Sequence, residues 1–332
     1  METESKQKLN SKWMELSVDQ EPIRNGYGRG LVMAGRADKQ VVAVCGDLTE
    51  STRTEAFAGE FPERFFQVGV AEQNLVTVAS GLAAFGKIPF VTSYAVFSPG
   101  RNWEQIRTTV CYNNVNVKII GSHGGVSVGY DGGSHQVLED IALMRVLPRM
   151  RVIVPCDSLE AEKATQIIAK TNQPTYLRLA RDKSPIITTV ESPFIIGRAN
   201  VLIAPEKPDV LIIACGQMVY ESLLAAMELA KTGLEVAVIN SHTIKPLDNK
   251  TIIEWAQRAG AVVAAEEHQA IGGLGEAVAM VLAKEKPVPI EQVAVTDKFG
   301  QSGSPKELLE YYGLTKPAII KAVQKVITRK KN

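Results

Sequence analysis

Glu72 places one carboxylate at the first turn of a helical stretch, GVAEQNLVTVASGLAAFG (69–86), whose other positions are almost wholly apolar. Leu75, Val78, Ala79, Leu82 and Ala83 recur at helical spacing, so this helix is expected to pack inside its domain. A carboxylate at the edge of a core is raised in pKa by desolvation unless a polar group meets it, and such groups concentrate at functional sites. A helix-start charge stabilised by the helix dipole explains the same residue equally well. Its neighbours alone leave both readings standing.

The densest cluster of polar and glycine residues is GSHGGVSVGYDGGSHQ (121–136), directly after the apolar run VKIIG (117–121). Its six glycines permit left-handed backbone and close approach, while His123, Asp131 and His135 bring titratable groups into one loop. Two of the four histidines lie here, between apolar flanks, which favours a site over a flexible surface loop. Metal ligation by His123, Asp131 and His135 is not favoured: the histidines are twelve apart and no cysteine or second carboxylate joins them.

In TSYAVFSPGRNWEQIR (92–107), Tyr94 and Phe97 follow a strand end and are three apart, a spacing that suits a clamp for a planar ring. An aromatic stack is worth about 0.5–1.5 kcal/mol beyond burial, so it would position a heterocycle without holding it alone. On local evidence core packing is the commoner role for such a pair. Asp47 and Ser51 lie just beyond the run VVAVC (41–45), where either could cap a turn or helix. Arg24 and Arg181 are arginines able to grip a phosphate in bidentate fashion. In EEHQAIGGLGEA (266–277), Gly272, Gly273 and Gly275 fall short of a dinucleotide fingerprint, and a tight turn into a helix accounts for them better.

The elements that would carry these residues alternate as in a parallel sheet. Strands are expected at 41–45, 88–93, 117–121, 151–155 and 175–179, with helices near 26–38, 71–86, 101–113, 136–146 and 158–171. The segment 183–198 loses periodicity and has two prolines, which marks a linker. A second cycle has strands at 210–215, 235–240, 261–267 and 290–295, helices near 217–233, 246–258 and 273–284, and two terminal helices in 304–329. The expected fold is α/β with two doubly wound domains, 1–190 and 191–332, mainly parallel in the first.

Bulk composition narrows the function classes. The chain has 332 residues, 45% hydrophobic and 22% charged, with 37 basic against 36 acidic side chains, the balance of a soluble globular protein. No basic stripe with interleaved aromatics points to nucleic acid, and Arg329, Lys330 and Lys331 read as a solvated helix end. The polar start METESKQKLN holds no apolar signal core, and no run is long enough to span a bilayer, so a cytoplasmic protein is expected. Cys45, Cys111, Cys156 and Cys215 stand far apart, as reduced core cysteines do.

Taken together and in this order, FPERFFQVGVAEQNL, TSYAVF, GSHGGVSVGYDGGSHQ, LEDIALMR and VIVPCD resemble the C-terminal half of transketolase, a thiamine diphosphate enzyme. The resemblance covers nearly the whole chain: a pyrimidine-binding domain, then from about residue 195 a C-terminal domain. It implies that Glu72 hydrogen-bonds N1′ of the cofactor's aminopyrimidine, favouring the imino tautomer that takes the proton from thiazolium C2. Positioned proton transfer of this kind contributes about a hundredfold to ten-thousandfold. Tyr94 and Phe97 match the aromatics around that ring, Phe97 the safer match, and Asp47 matches a residue near the cofactor. His123 and His135 resemble residues contacting donor and acceptor hydroxyls, which makes them catalytic candidates beside Glu72, and Asp131 resembles the reader of the donor's 2-hydroxyl. Arg24, Ser51 and Arg181 match positions that bind the sugar phosphate. Gly133 stands where the family often has a proline.

The family's other half holds the diphosphate and a divalent cation such as Mg2+ through a GDG motif and a later asparagine, and this sequence has no such pair: GDL stands at 46–48 and DGG at 131–133. The resemblance therefore implies a split transketolase whose separate N-terminal subunit supplies the diphosphate and metal site, in an α2β2 assembly acting on phosphorylated sugars such as xylulose 5-phosphate and ribose 5-phosphate. No metal ligand is assigned to this chain. Competing readings are the beta subunit of a 2-oxoacid dehydrogenase decarboxylase, 1-deoxyxylulose-5-phosphate synthase, a specialised transketolase for an unusual ketose phosphate, and a non-catalytic scaffold. The GSHGGVS and SHQ pair with Arg181 favours transketolase, and retention of Glu72, both loop histidines and both arginines disfavours a scaffold.

Overall fold

In a computed structural model, residues 9–15 and 17–330 are described. Lys331, read above with the terminal basic run, lies outside them, as does the polar start before Leu9.

The chain builds two mainly parallel sheets covered by helices. The first has seven strands in the spatial order Thr243–Lys245, Arg151–Ile153, Thr175–Arg178, Lys118–Ser122, Ile88–Tyr94, Val41–Cys45 and Phe65–Gln67, all neighbours parallel except Thr243–Lys245. Its central strands are buried on both faces, which is why Val41–Cys45 reads as an unbroken apolar run rather than an alternating one. The second sheet has five strands, Ile290–Val295, Val262–Gln269, Val210–Ala214, Val236–Asn240 and Asn200–Ile203, with only Asn200–Ile203 antiparallel. Between the strands lie the helices Ile23–Ala37, Glu72–Ala84, Ser158–Ala169, Met218–Ala230, Asn249–Ala259, Leu274–Glu285 and Lys316–Lys330. None of the described helices is long and apolar enough to cross a membrane.

Three differences from the sequence reading matter. Within 183–198, read as a linker, Lys183–Pro185 is a strand paired antiparallel with Gln20–Pro22. The helix expected at 101–113 is α-helical only over Trp103–Gln105 and continues as a π-helix over Ile106–Tyr112. Thr243–Lys245, from the C-terminal part of the chain, joins the edge of the first sheet, and one hydrophobic cluster runs from Leu75, Val91 and Ile119 to Leu211, Ile239 and Trp255. The two sheets are therefore joined by a shared core.

Parallel order sends the carboxyl ends of four strands to one edge of the first sheet, where ligands of such folds bind. From those ends emerge Asp47 and Ser51, then Tyr94, His123 and Arg181. Arg24 reaches the same edge from the first turn of Ile23–Ala37. That helix lies so close to Ser158–Ala169 that a Cβ at Gly26 would stand 1.8 Å from the Ser158 carbonyl oxygen.

Candidate functional site

Tyr94 ends its strand with its ring stacked on His123, centroids 3.7 Å apart and planes 24° apart. Phe97 stacks parallel to Tyr94 at 6.0 Å, and His135 meets Phe97 edge-on at 5.4 Å. Both aromatics are half-buried, not core residues as their local sequence alone suggested. The glycine-rich loop and the aromatic segment thus converge, with both loop histidines against one aromatic pair.

His123 is buried and held with φ of 61°. Its Nε2 lies 2.9 Å from Arg24 Nη1, which also donates to the Ser51 carbonyl oxygen at 2.7 Å. Because a guanidinium only donates, Nε2 must be the unprotonated nitrogen, and Nδ1–H then donates to Ser122 Oγ at 2.8 Å. Burial, followed by the positive charges of Arg24, Arg181 and Arg53, pushes the His123 pKa down to about 2. His123 is therefore a neutral imidazole of fixed tautomer. Arg24 is itself held below its ordinary pKa by burial and then by Arg53 and Arg181. The region is strongly cationic, and among the described residues Arg181 donates there only to the Val128 carbonyl oxygen, at 2.7 Å.

Glu72 opens the helix Glu72–Ala84 and is only 4% exposed. The polar group that meets it is Arg101, whose Nη1 lies 3.3 Å and 3.4 Å from the two carboxylate oxygens. The Arg101 guanidinium also covers the Phe97 ring at 4.3 Å from its centroid. Asn102 fixes the helix start by donating to the Glu72 carbonyl oxygen at 2.9 Å and to Ser98 Oγ at 3.1 Å. Arg101 escaped the sequence reading because a charge in a Pro-Gly turn looks like a solvated one.

The carboxylate faces a hollow lined by Val70, Ala71, Gln73, Asn74 and Arg101. An aminopyrimidine fits these groups: a buried carboxylate whose only side-chain partner among the described residues is the half-exposed Arg101, beside the face of Phe97 that Arg101 covers. Such a ring would exchange one cationic partner of Glu72 for another donor.

The loop 121–136 is packed, not mobile surface. Gly125 has φ of +91°, and a Cβ there would lie 2.1–2.5 Å from the carboxylate of Glu267. That carboxylate accepts the Ser127 amide at 2.7 Å and Gln217 Nε2 at 2.6 Å, while Gln136 Nε2 ties the loop to the carbonyl oxygens of Gly129 and Gln301 at 2.9 Å. Beneath it, Arg178 Nε donates to Asp140 at 2.8 Å and Arg178 Nη2 to the Glu267 carbonyl oxygen at 2.9 Å.

Not every expected residue joins the cluster. Asp131 is exposed and makes no side-chain hydrogen bond among the described residues. Asp47 is exposed at the neighbouring strand end, with φ of 62° and its amide bonded to Gln67 Oε1 at 2.8 Å. The Gly272–Gly275 turn has its helix amides taken from within: buried Glu266 accepts from Leu274 N at 2.7 Å and Gly275 N at 2.8 Å. This occupies the place a dinucleotide phosphate would need. All four cysteines are free and buried.

Residues 20–186 match the family model "Transketolase, pyrimidine binding domain" and residues 197–319 match "Transketolase, C-terminal domain". The chain is 42% identical over 313 residues to a putative transketolase C-terminal section of Methanocaldococcus jannaschii, covering 93% of this chain and 98% of that one. It is 39% identical over 316 residues to a 6-deoxy-6-sulfo-D-fructose transketolase subunit of Clostridium sp. strain MSTE9, covering 95% and 98%. A solved structure described as a split gene transketolase, inactive beta4 tetramer, matches with a TM-score of 0.87 at 45% identity, covering 93% of this chain and 99% of that one.

Proposed function

Because the chain belongs to the transketolase family, with its pyrimidine-binding and C-terminal domains, we propose that it is the C-terminal subunit of a split transketolase, active with an N-terminal partner in an α2β2 assembly. The enzyme transfers a two-carbon ketol unit from a ketose phosphate to an aldose phosphate. The observation that carries this reading is the meeting, at one sheet edge, of the buried Glu72 carboxylate, the Tyr94–Phe97 pair and the arginine-bound His123. Residues 1–190 form the pyrimidine-binding unit and 191–332 the C-terminal one.

Thiamine diphosphate, when bound, supplies a nucleophilic thiazolium carbon. Within this chain Glu72 holds the proton at N1′ of the aminopyrimidine, Phe97 and Tyr94 orient the ring, and Asp47 stands at the cofactor's edge. A short proton path between groups in a buried setting is how such catalysis gains rate. The diphosphate and its divalent cation belong to the partner subunit. On the sugar side, His123, a neutral imidazole, and with it His135 hold donor and acceptor hydroxyls, Asp131 reads the donor 2-hydroxyl, and Arg24, Ser51 and Arg181 hold the terminal phosphate. A second reading, a ketose carrying another terminal anion such as a sulfonate, is favoured by the likeness to the 6-deoxy-6-sulfo-D-fructose transketolase subunit.

The test is co-purification with a candidate N-terminal subunit, then two-carbon transfer from xylulose 5-phosphate to ribose 5-phosphate. Transfer by the pair and none by either chain alone is expected. A stable pair inactive on every ketose phosphate and ketose sulfonate offered contradicts the assignment.

A further inference from the structure

The turn after the strand Val41–Cys45 alternates inward and outward residues: Thr52 and Thr54 are buried, while Ser51 and Arg53 are half-exposed. Thr52 N and Oγ1 both donate to the Leu48 carbonyl oxygen, at 2.9 Å and 2.8 Å, and Thr54 N donates to that of Thr49 at 3.0 Å. The turn is thus pinned from below with Arg53 on the same side as Ser51.

Two crossed hydrogen bonds lock it against the first helix. Arg24 donates from the helix to the Ser51 carbonyl oxygen at 2.7 Å, and Arg53 Nε donates back to Asn25 Oδ1 at 2.9 Å. Gly28, one turn further along, admits this approach, since a Cβ there would lie 2.7 Å from the Arg53 carbonyl oxygen. Arg53 takes φ of 63°, backbone that a side-chain-bearing residue rarely adopts and that persists only when its surroundings enforce it.

Arg53 and Arg181 thus both lie close enough to act on Arg24, and the Nη2 of Arg24, of Arg53 and of Arg181 has no partner among the described residues. Among the described residues the one carboxylate in ion-pair reach of Arg53 is Glu55, 3.8 Å from its Nη1. Arg24 Nε is buried without a partner as well. The lowered pKa values of Arg24 and His123, for both of which Arg53 is among the causes, accord with the three charges converging.

We propose that Arg53 is a third arm of the phosphate cradle, a specificity residue that grips the terminal dianion of the sugar together with Arg24 and Arg181. This rests on the transketolase reading above. Two arginines suffice to recognise a singly charged group; a third, held in strained backbone with a free edge, matches a tetrahedral group carrying two charges and three acceptor oxygens.

The reconstituted two-subunit enzyme tests it with ribose 5-phosphate and unphosphorylated ribose as acceptors. Arg53→Gln is expected to lower the ratio of the two kcat/KM values about tenfold, the lower end for a hydrogen bond to a charged group. Most of that loss should fall on KM for ribose 5-phosphate, and inorganic phosphate should become a correspondingly weaker competitive inhibitor. Arg53→Lys, which keeps the charge, should recover part of the ratio. An unmoved ratio, whether both acceptors are unaffected or both lose equally, overturns the proposal. Arg181→Gln in parallel separates the two claims: if it lowers the ratio while Arg53→Gln does not, only the role of Arg53 fails. If neither variant lowers it, the phosphate-binding reading fails too.

Discussion

Replacing Asp140 by asparagine removes one charge from a pair that is almost dry: the Arg178 side chain is 6% exposed, that of Asp140 is fully buried, and they meet at 2.8 Å. Burial alone would lower the Arg178 pKa, and the carboxylates of Asp140 and Glu267 reverse this, raising it above the ordinary value. Losing one partner of a buried pair costs about 3–5 kcal/mol, and here the Glu267 carboxylate near Arg178 holds the loss of Asp140 to the lower end. Asp140 Oδ2 also accepts the Tyr176 hydroxyl at 2.7 Å, so Tyr176→Phe removes a hydrogen bond from the same atom without touching the charge. That control should cost only about 1 kcal/mol. Urea unfolding of the parent and both variants gives the comparison directly. The double variant Asp140→Leu with Arg178→Met, which removes both charges of the pair and leaves Glu267 without its nearby cation, should recover part of the loss of Asp140→Asn. If Asp140→Asn costs no more than Tyr176→Phe, the view that this ion pair supports the loop 121–136 is wrong.

His123 should stay neutral in the folded protein through the physiological range. Its folded pKa lies below its unfolded one, so the unfolded state binds the extra proton first, and stability is lost as pH falls below about 6.5. Between pH 7 and pH 5.5 the parent should lose about 1 kcal/mol more than His123→Gln in urea unfolding, and equal losses would contradict the buried neutral ring. Gly125→Ala should destabilise the loop by about 2 kcal/mol or more, because the new Cβ meets the Glu267 carboxylate and φ is +91°; an unchanged unfolding midpoint would refute this packing. Arg101→Ala removes the only side-chain partner of Glu72 among the described residues and leaves a buried carboxylate unpaired, so urea unfolding should show a loss of about 1 kcal/mol. No loss would show that the fold does not depend on the pairing of Arg101 with Glu72.

Much of this was legible in the sequence because buried parallel strands leave a strong apolar signature. VVAVC and VLIIAC lie almost entirely inside the strands they announced, and the glycine-rich loop follows its strand as expected. The short strands Gln20–Pro22, Phe65–Gln67, Lys183–Pro185 and Thr243–Lys245 have three residues each, too few for any period to show. The π-helix after Gln105 hides for a related reason: its apolar residues are spaced like those of an α-helix, and only the backbone bonding differs. At the site, histidine and glycine density marked the loop, yet Arg101 and Arg53 carried no local mark. Arg101 matters through a carboxylate 29 positions away and Arg53 through a helix 28 positions away, pairings that only the fold makes. Glu266 was hidden likewise, because a carboxylate eight residues ahead of Leu274 becomes the cap of that helix only once the chain turns back.

The most direct test of the account follows the proton on thiazolium C2 of thiamine diphosphate by deuterium exchange in the reconstituted enzyme. With the parent subunit exchange should be fast, and with Glu72→Ala it should fall to the rate of free cofactor while the two subunits still assemble. Exchange at the parent rate in an assembled Glu72→Ala enzyme would remove Glu72 from cofactor activation.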